Sequence, residues 1–284
     1  MIAWVDDGTG NPQANGLVDV ESARIGILDR GLIVGDGVFE TLKVVAGQPF
    51  ALTRHLRRLH DSARVMEIDL PTATDLQAAI LATLAANASD IGEIGRLRLT
   101  VTHGRGVLGD PYAGDGPPLV VVTVVPQRPW PAVNIVELST WTRNEHSALT
   151  GVKSTSYAEN AIALRAARRQ GAHEALLLNT AGEVCEGTGS NIVVALDGQL
   201  VTPPLASGCL AGITRELALQ WCAIAERTVT GAELAHVTEA FLTSSTRDLH
   251  PISRLAGRDL PAAGPLTRQA IALWRTHAAQ GIDP

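Results

Sequence analysis

Lys43 and Lys153 are the two lysines of a 284-residue chain that carries 21 arginines. Arginine can replace lysine at most solvated positions, but its guanidinium stays protonated and cannot serve as an amine nucleophile. A lysine kept under that bias is a candidate for covalent amine chemistry. Lys43 lies mid-strand in Glu40-Thr41-Leu42-Lys43-Val44-Val45 with no motif around it, and reads as a salt-bridged strand residue. Lys153 ends a strand-like approach in Gly151-Val152-Lys153-Ser154-Thr155-Ser156-Tyr157, just before a helix. A merely solvated lysine there would oppose the helix dipole. Two more segments follow: Glu183-Val184-Cys185-Glu186-Gly187-Thr188-Gly189-Ser190-Asn191, and Leu210-Ala211-Gly212-Ile213-Thr214-Arg215, where a glycine leads into an amphipathic helix.

Other chemistries find less support. Gly104-Arg105-Gly106-Val107-Leu108-Gly109 spells a dinucleotide fingerprint, but no helix can start in the following Asp110-Pro111-Tyr112-Ala113-Gly114-Asp115-Gly116-Pro117-Pro118 to meet a pyrophosphate. The eight histidines form no i, i+4 pair around a Glu, and His55 and His60 do not share a helix face, so no metal site is expected. Cys185, Cys209 and Cys222 form neither a zinc motif nor a disulfide framework. No Gly-x-Ser-x-Gly elbow occurs.

The elements that must position these residues alternate between strand and helix. Phe39–Val45, Leu97–His103 and Leu119–Val125 read as strands. Thr53 is expected to cap a helix over Arg54–Glu67, and Thr74 to start another over Asp75–Ala88. Pro126-Gln127-Arg128-Pro129-Trp130-Pro131 can continue neither sheet nor helix and reads as a connector. It divides a smaller α/β domain, 1–125, from a larger one, 132–284, which carries Lys153. In the second, Val133–Thr140, Glu174–Leu178, Asn191–Leu196 and Ala240–Ser244 read as strands, with Asp197-Gly198 as a hairpin turn. Tyr157–Gln170, ended by Gly171, Ile213–Ala225 and Pro265–Ala279 read as helices. With 45% apolar and 18% charged residues and a net charge of −6, the chain is globular and poorly suited to nucleic acid. No run approaches the ~18 apolar residues of a membrane span, and the N-terminus lacks a signal-peptide pattern, so a cytoplasmic protein is expected.

Taken in order, these motifs resemble the class IV aminotransferases, pyridoxal-phosphate (PLP) enzymes of fold type IV. Asp29-Arg30-Gly31, Gly35-Asp36-Gly37-Val38-Phe39-Glu40, Arg57-Arg58-Leu59, the three segments above and Thr243-Ser244-Ser245-Thr246 carry the resemblance. It implies a two-domain α/β fold of the D-amino-acid aminotransferase type, mixed sheets with surrounding helices. It also implies PLP as cofactor, with Lys153 as Schiff-base lysine and proton carrier. Glu186, favoured over Glu183 because it immediately precedes Gly-Thr-Gly, would partner the pyridine nitrogen. Arg58, Ile213, Thr214, Ser245 and Thr246 would hold the phosphate, and Tyr157 the ring oxygen. Phe39 and Arg105 are the residues it implies for the substrate. Members are usually homodimers, and Arg105 or Tyr112 could then act across the interface.

The branch of the family is a separate question. Lys153-Ser154-Thr155-Ser156-Tyr157-Ala158-Glu159-Asn160 is most similar to the 4-amino-4-deoxychorismate lyases, which release 4-aminobenzoate and pyruvate. The Arg-x-His carboxylate trap of the D-amino-acid enzymes is not evident, since Leu108 and Asp110 occupy the matching stretch. The branched-chain enzymes place their Tyr one residue further from the lysine. D-amino-acid or branched-chain transamination stands as the alternative, and a PLP carrier without turnover as an alternative of another class. In each case the expected partner is a small-molecule amine.

Overall fold

The structure, a computed structural model, describes residues 1–10, 15–110 and 116–284; Tyr112 lies outside them. The described chain forms two compact units. One is Met1–Arg128 with Val152–Tyr157 and Asp283. The other is Pro129–Gly151 with Ala158–Ile282 and Pro284.

The first unit holds β1 (Ile2–Asp6), β2 (Gly16–Asp19), α1 (Arg30–Ile33), β3 (Gly37–Val45), β4 (Gln48–Pro49), α2 (Leu52–Val65), α3 (Ala73–Ala86), α4 (Ala88–Ile91), β5 (Ile94–Thr102) and β6 (Leu119–Pro126). Its antiparallel sheet runs β2-β1-β6-β5-β3-β4. Alternate residues of the long strands turn Val38, Leu42, Val44, Leu97, Leu99, Val101, Val122 and Val124 into one apolar face. Leu52, Leu59 and Ala63 of α2 and Leu76, Ile80 and Leu84 of α3 close over it. Both expected caps move upstream. Thr53 is inside α2, its hydroxyl and N–H taken by the Asp283 carboxylate at 2.5 and 3.0 Å, and Ala51 caps with a left-handed backbone (φ 56). Thr72, not Thr74, caps α3 by accepting from Asp75 N–H at 3.2 Å.

The second unit holds β7 (Asn134–Leu138), α5 (Ala158–Arg169), β8 (Glu174–Leu178), β9 (Val184–Gly187), β10 (Asn191–Leu196), β11 (Gln199–Thr202), α6 (Ile213–Trp221), β12 (Ala225–Glu226), β13 (Glu239–Ser244), β14 (Asp248–Leu255), β15 (Arg258–Asp259) and α7 (Pro265–Ala278). Its mixed sheet runs β12-β11-β10-β13-β14-β7-β8-β9, with β15 on β14 and parallel pairs at β11/β12, β14/β7 and β7/β8. Ile192, Val194, Leu242, Ile252, Leu176 and Val136 form its core. Asp197 and Gly198 both take positive φ, as a two-residue hairpin turn with the twist of its strands requires. The α6 helix ends at Trp221, short of the expected Ala225, because the chain reverses at Ala223 (φ 49) into β12. Among the described residues no helix is long and apolar enough to cross a membrane.

Candidate active site

Lys153 lies on an added edge of the first unit's sheet. Its carbonyl accepts from Phe39 N–H at 3.0 Å, and Thr155 N–H donates to the Gly37 carbonyl at 2.8 Å. These bonds extend the start of β3 by a short antiparallel bridge, Val38 to Ser154. That pairing groups Val152–Tyr157 with the first unit, although the sequence order assigns the lysine to the segment after the connector. The hydroxyls of Thr155 and Ser156 donate to the Gly35 carbonyl at 2.9 and 3.0 Å. Gly35 is required here twice over: its φ is +68, and a Cβ would meet Ser156 Oγ at 2.7 Å. From the other side, Ser62 Oγ of α2 accepts from Lys153 N–H at 3.2 Å.

The β3 alternation separates two environments. Phe39 faces Lys153, whose Nζ is 4.4 Å from the ring centroid. Tyr157 meets the same ring edge-on at 5.7 Å, and the Arg98 guanidinium stacks on it at 3.7 Å. Glu40 turns to the opposite, apolar face, where it is fully buried. There it accepts from Arg58 Nε at 2.8 Å and Nη2 at 2.6 Å, and pairs with His55 Nδ1 at 2.6 Å. Burial would raise the Glu40 carboxyl, but Arg58 and then His55 outweigh it and hold it down at about 2. Arg105 is exposed and bridges to Asp29 through its backbone, so Arg98 rather than Arg105 is the cation at Phe39. Lys43 places its ammonium 5.2 Å from the Phe50 ring.

In the second unit Glu186 sits on β9 and is 9% exposed. Leu210 N–H donates to Oε2 at 3.0 Å, and Asn191 Nδ2 and Arg143 Nη2 approach at 3.4 Å. Glu183 closes the Asn179 turn instead, accepting from Asn179 Nδ2 at 2.9 Å. Gly212 caps α6 without a side-chain bond, leaving the first helical amides to whatever faces them, and Ile213 and Thr214 are buried at that end. A Cβ on Gly212 would lie 2.0 Å from Asn191 Oδ1, so only glycine lets α6 start this close to the Glu186 partner. Ser245 and Thr246 occupy the turn from β13 to β14, and α6 packs on β13.

One buried acid anchors both of these loops. Glu174 of β8 accepts from Thr188 N–H at 3.1 Å, the Thr188 hydroxyl, Ser190 Oγ at 3.3 Å and Arg247 Nη1 at 2.8 Å. Asn160 joins the set, donating to the Thr188 carbonyl at 2.7 Å and accepting from Arg143 at 2.9 Å. Glu174, Arg143, Arg98 and the Glu40–His55 pairing are absent from the sequence reading. The signal for Glu40 was its place on the apolar face of an alternating strand; the others left none.

The donor set fits a phosphorylated pyridine aldehyde. The first unit offers an amine, and the second, taken by itself, a carboxylate fixed by three donors and a helix start bearing a buried threonine and an uncapped first turn. Similarity to known proteins agrees. The family model for amino-transferase class IV matches residues 37–255. The D-alanine aminotransferase of Bacillus licheniformis is 32% identical over 271 residues, covering 89% of this chain and 91% of the relative. The branched-chain-amino-acid aminotransferase of Pseudomonas aeruginosa is 31% identical over 275 residues, covering 89% and 87%. The crystal structure of 4-amino-4-deoxychorismate lyase from P. aeruginosa matches with a TM-score of 0.79 at 32% identity, covering 99% of this chain and all of that one.

Proposed function

Because the chain belongs to the class IV aminotransferases, and is thus a PLP-dependent enzyme acting on small amino compounds, we propose that it is a 4-amino-4-deoxychorismate lyase releasing 4-aminobenzoate and pyruvate. When bound, PLP supplies an aldehyde that an amine can hold and a ring that draws electrons from the carbon bearing the substrate amine. Lys153 is the tethering amine, and once displaced it takes the proton from that carbon. Glu186 keeps a proton at the pyridine nitrogen. Arg58, Ile213, Thr214, Ser245 and Thr246 bind the phosphate, Tyr157 the ring oxygen, and Phe39 with Arg98 or Arg105 the substrate. Loss of the proton is followed by cleavage of the bond to the enolpyruvyl oxygen. The proton ends on the departing enol carbon, giving pyruvate, and the ring left behind is aromatic.

The observation that carries this reading is the Lys153–Asn160 segment, which is lyase-like and in which the hydroxyls of Thr155 and Ser156 brace the lysine strand. The end-to-end match to the lyase structure supports it. A second reading, transamination of a D- or branched-chain amino acid, is favoured by Arg98, a guanidinium stacked on the Phe39 ring that Lys153 also meets, which would receive an α-carboxylate. A homodimer in the cytoplasm, serving folate synthesis, belongs to the lyase reading.

Aminodeoxychorismate should yield 4-aminobenzoate and pyruvate with the purified protein. Lys153→Ala should abolish both products and the visible absorbance of the bound cofactor. No 4-aminobenzoate above a no-enzyme control removes the lyase reading. Pyruvate from D-alanine with 2-oxoglutarate, or glutamate from leucine with 2-oxoglutarate, would install the transaminase instead. Cofactor absorbance without any product would leave a carrier.

A further inference from the structure

One face of α2 carries His55, Arg58 and Ser62, all buried, and β3 sets Glu40 against it. A carboxylate on the face shared with Val38, Leu42 and Val44 is costly unless fully paired. Its pairing is directional. Arg58 gives Glu40 the Nε–Nη2 edge of its guanidinium, so the remaining hydrogens of Nη1 and Nη2 point away from Glu40 in a fixed plane. A carboxylate can only accept, so His55 Nδ1 is the donor in its bond to Glu40. Burial first, opposed by Glu40, holds His55 below its ordinary range, so it steadies Glu40 as a neutral ring.

We infer that Glu40, backed by His55, is a positioning residue for the cofactor phosphate, acting through the direction it imposes on Arg58. This rests on the reading of Arg58 as a phosphate ligand. The sign of the effect separates positioning from charge. Glu40 neutralises Arg58, so by charge alone its removal would tighten the hold on a phosphate dianion. By positioning, its removal loosens that hold.

The test titrates the full-length apoprotein with PLP and with pyridoxal, which has the aldehyde but no phosphate, reading the visible absorbance of each. The quantity is the ratio of the two affinities. A partly unfolded variant weakens both ligands together and leaves the ratio unchanged. Glu40→Gln should lower the ratio about tenfold, roughly 1.4 kcal/mol, with pyridoxal affinity kept within about twofold. Arg58→Gln should lower it at least as far, and the double variant no further than Arg58→Gln alone. If Arg58→Gln lowers the ratio while Glu40→Gln leaves or raises it, the inference falls and the reading of Arg58 stands. If Arg58→Gln keeps the ratio, that reading falls and takes the inference with it. Should Glu40→Gln not fold, Glu40→Asp keeps the charge but withdraws the carboxylate by one methylene, and an unchanged ratio there overturns the inference.

Discussion

Glu40 in the first unit and Glu174 in the second are both buried carboxylates paired with an arginine, and they hold different things. Glu40 is bound by side chains alone, Arg58 and His55, both from α2. Glu174 is bound by the N–H groups of Ala175 and Thr188, two hydroxyls and Arg247, the partners beyond its own strand coming from the loop after β9 and the turn after β13. The first arrangement fixes the direction of one guanidinium. The second fixes the course of two stretches of backbone, those that bear Thr188 and lie beside Ser245 and Thr246. A buried ion pair adds little net stability against an apolar replacement, yet breaking one by removing a single partner is severe. The two pairs therefore owe their place to what they position.

The largest effect should come from Glu174. Glu174→Ala leaves Arg247 buried without its carboxylate and takes from Thr188 and Ser190 the acid that both bond to, and should cost about 3–5 kcal/mol of unfolding free energy, measured by urea denaturation. Because it loosens the loop that bears Thr188 as well as the turn beside Ser245 and Thr246, it should weaken pyridoxal along with PLP, where Glu40→Gln keeps pyridoxal affinity. A loss below about 1 kcal/mol, or an unchanged affinity for pyridoxal, would erase the distinction between the two acids.

How far this contrast was legible in the sequence depends on where each residue's partners lie. Lys153 stood out because lysine is scarce here, and Glu186 and Gly212-Ile213-Thr214 because they sit in short contiguous motifs. Glu40 sits in such a motif too, but its partners come from the next helix, and only the strand alternation hinted at a buried charge. Glu174 read simply as the first residue of a strand, since Thr188, Ser190 and Arg247 reach it from distant segments. Thr53 looked like a cap because Asp283, at the far end of the chain, is what it binds. β14 escaped notice because Pro251 interrupts its pattern; the strand nonetheless pairs with β13 through that residue, Pro251 opposite Phe241, and meets β7 only from Ile252 on.

Acid separates the two units next. Glu40 and His55 both have folded pKa values below their unfolded ones, so the unfolded chain takes up their protons first. Their contribution is complete above the unfolded values and is lost as pH falls, His55 starting near ~6.5 and Glu40 between ~4.3 and its folded value. For Glu40 the loss is partial at pH 3 and complete only below its folded value. Glu145, held down to about 2 by its bonds to Thr180, adds to the same acid limb in every variant and cancels in a difference. Stability followed by chemical denaturation from pH 7 to 3 should therefore fall less steeply in Glu40→Gln than in the parent. Parallel curves would mean that Glu40 is not held ionised by Arg58.

The smallest effect sharpens the second member of the pair. Arg247 has two supports, the Glu174 carboxylate and the face of Trp130, 4.2 Å from its guanidinium, while the Trp130 Nε1–H donates to the Thr246 carbonyl at 3.0 Å. Trp130→Leu removes both the ring face and the donor and should cost about 1–2 kcal/mol. Trp130→Phe keeps an aromatic face and should cost about half as much. Either loss should be well below that of Glu174→Ala, because Arg247, Thr188 and Ser190 keep the acid they bond to. If Trp130→Leu proves as damaging as Glu174→Ala, the loops are organised by the stacked Arg247 and the carboxylate is secondary, and the resemblance to Glu40, where the acid directs the arginine, would be reversed.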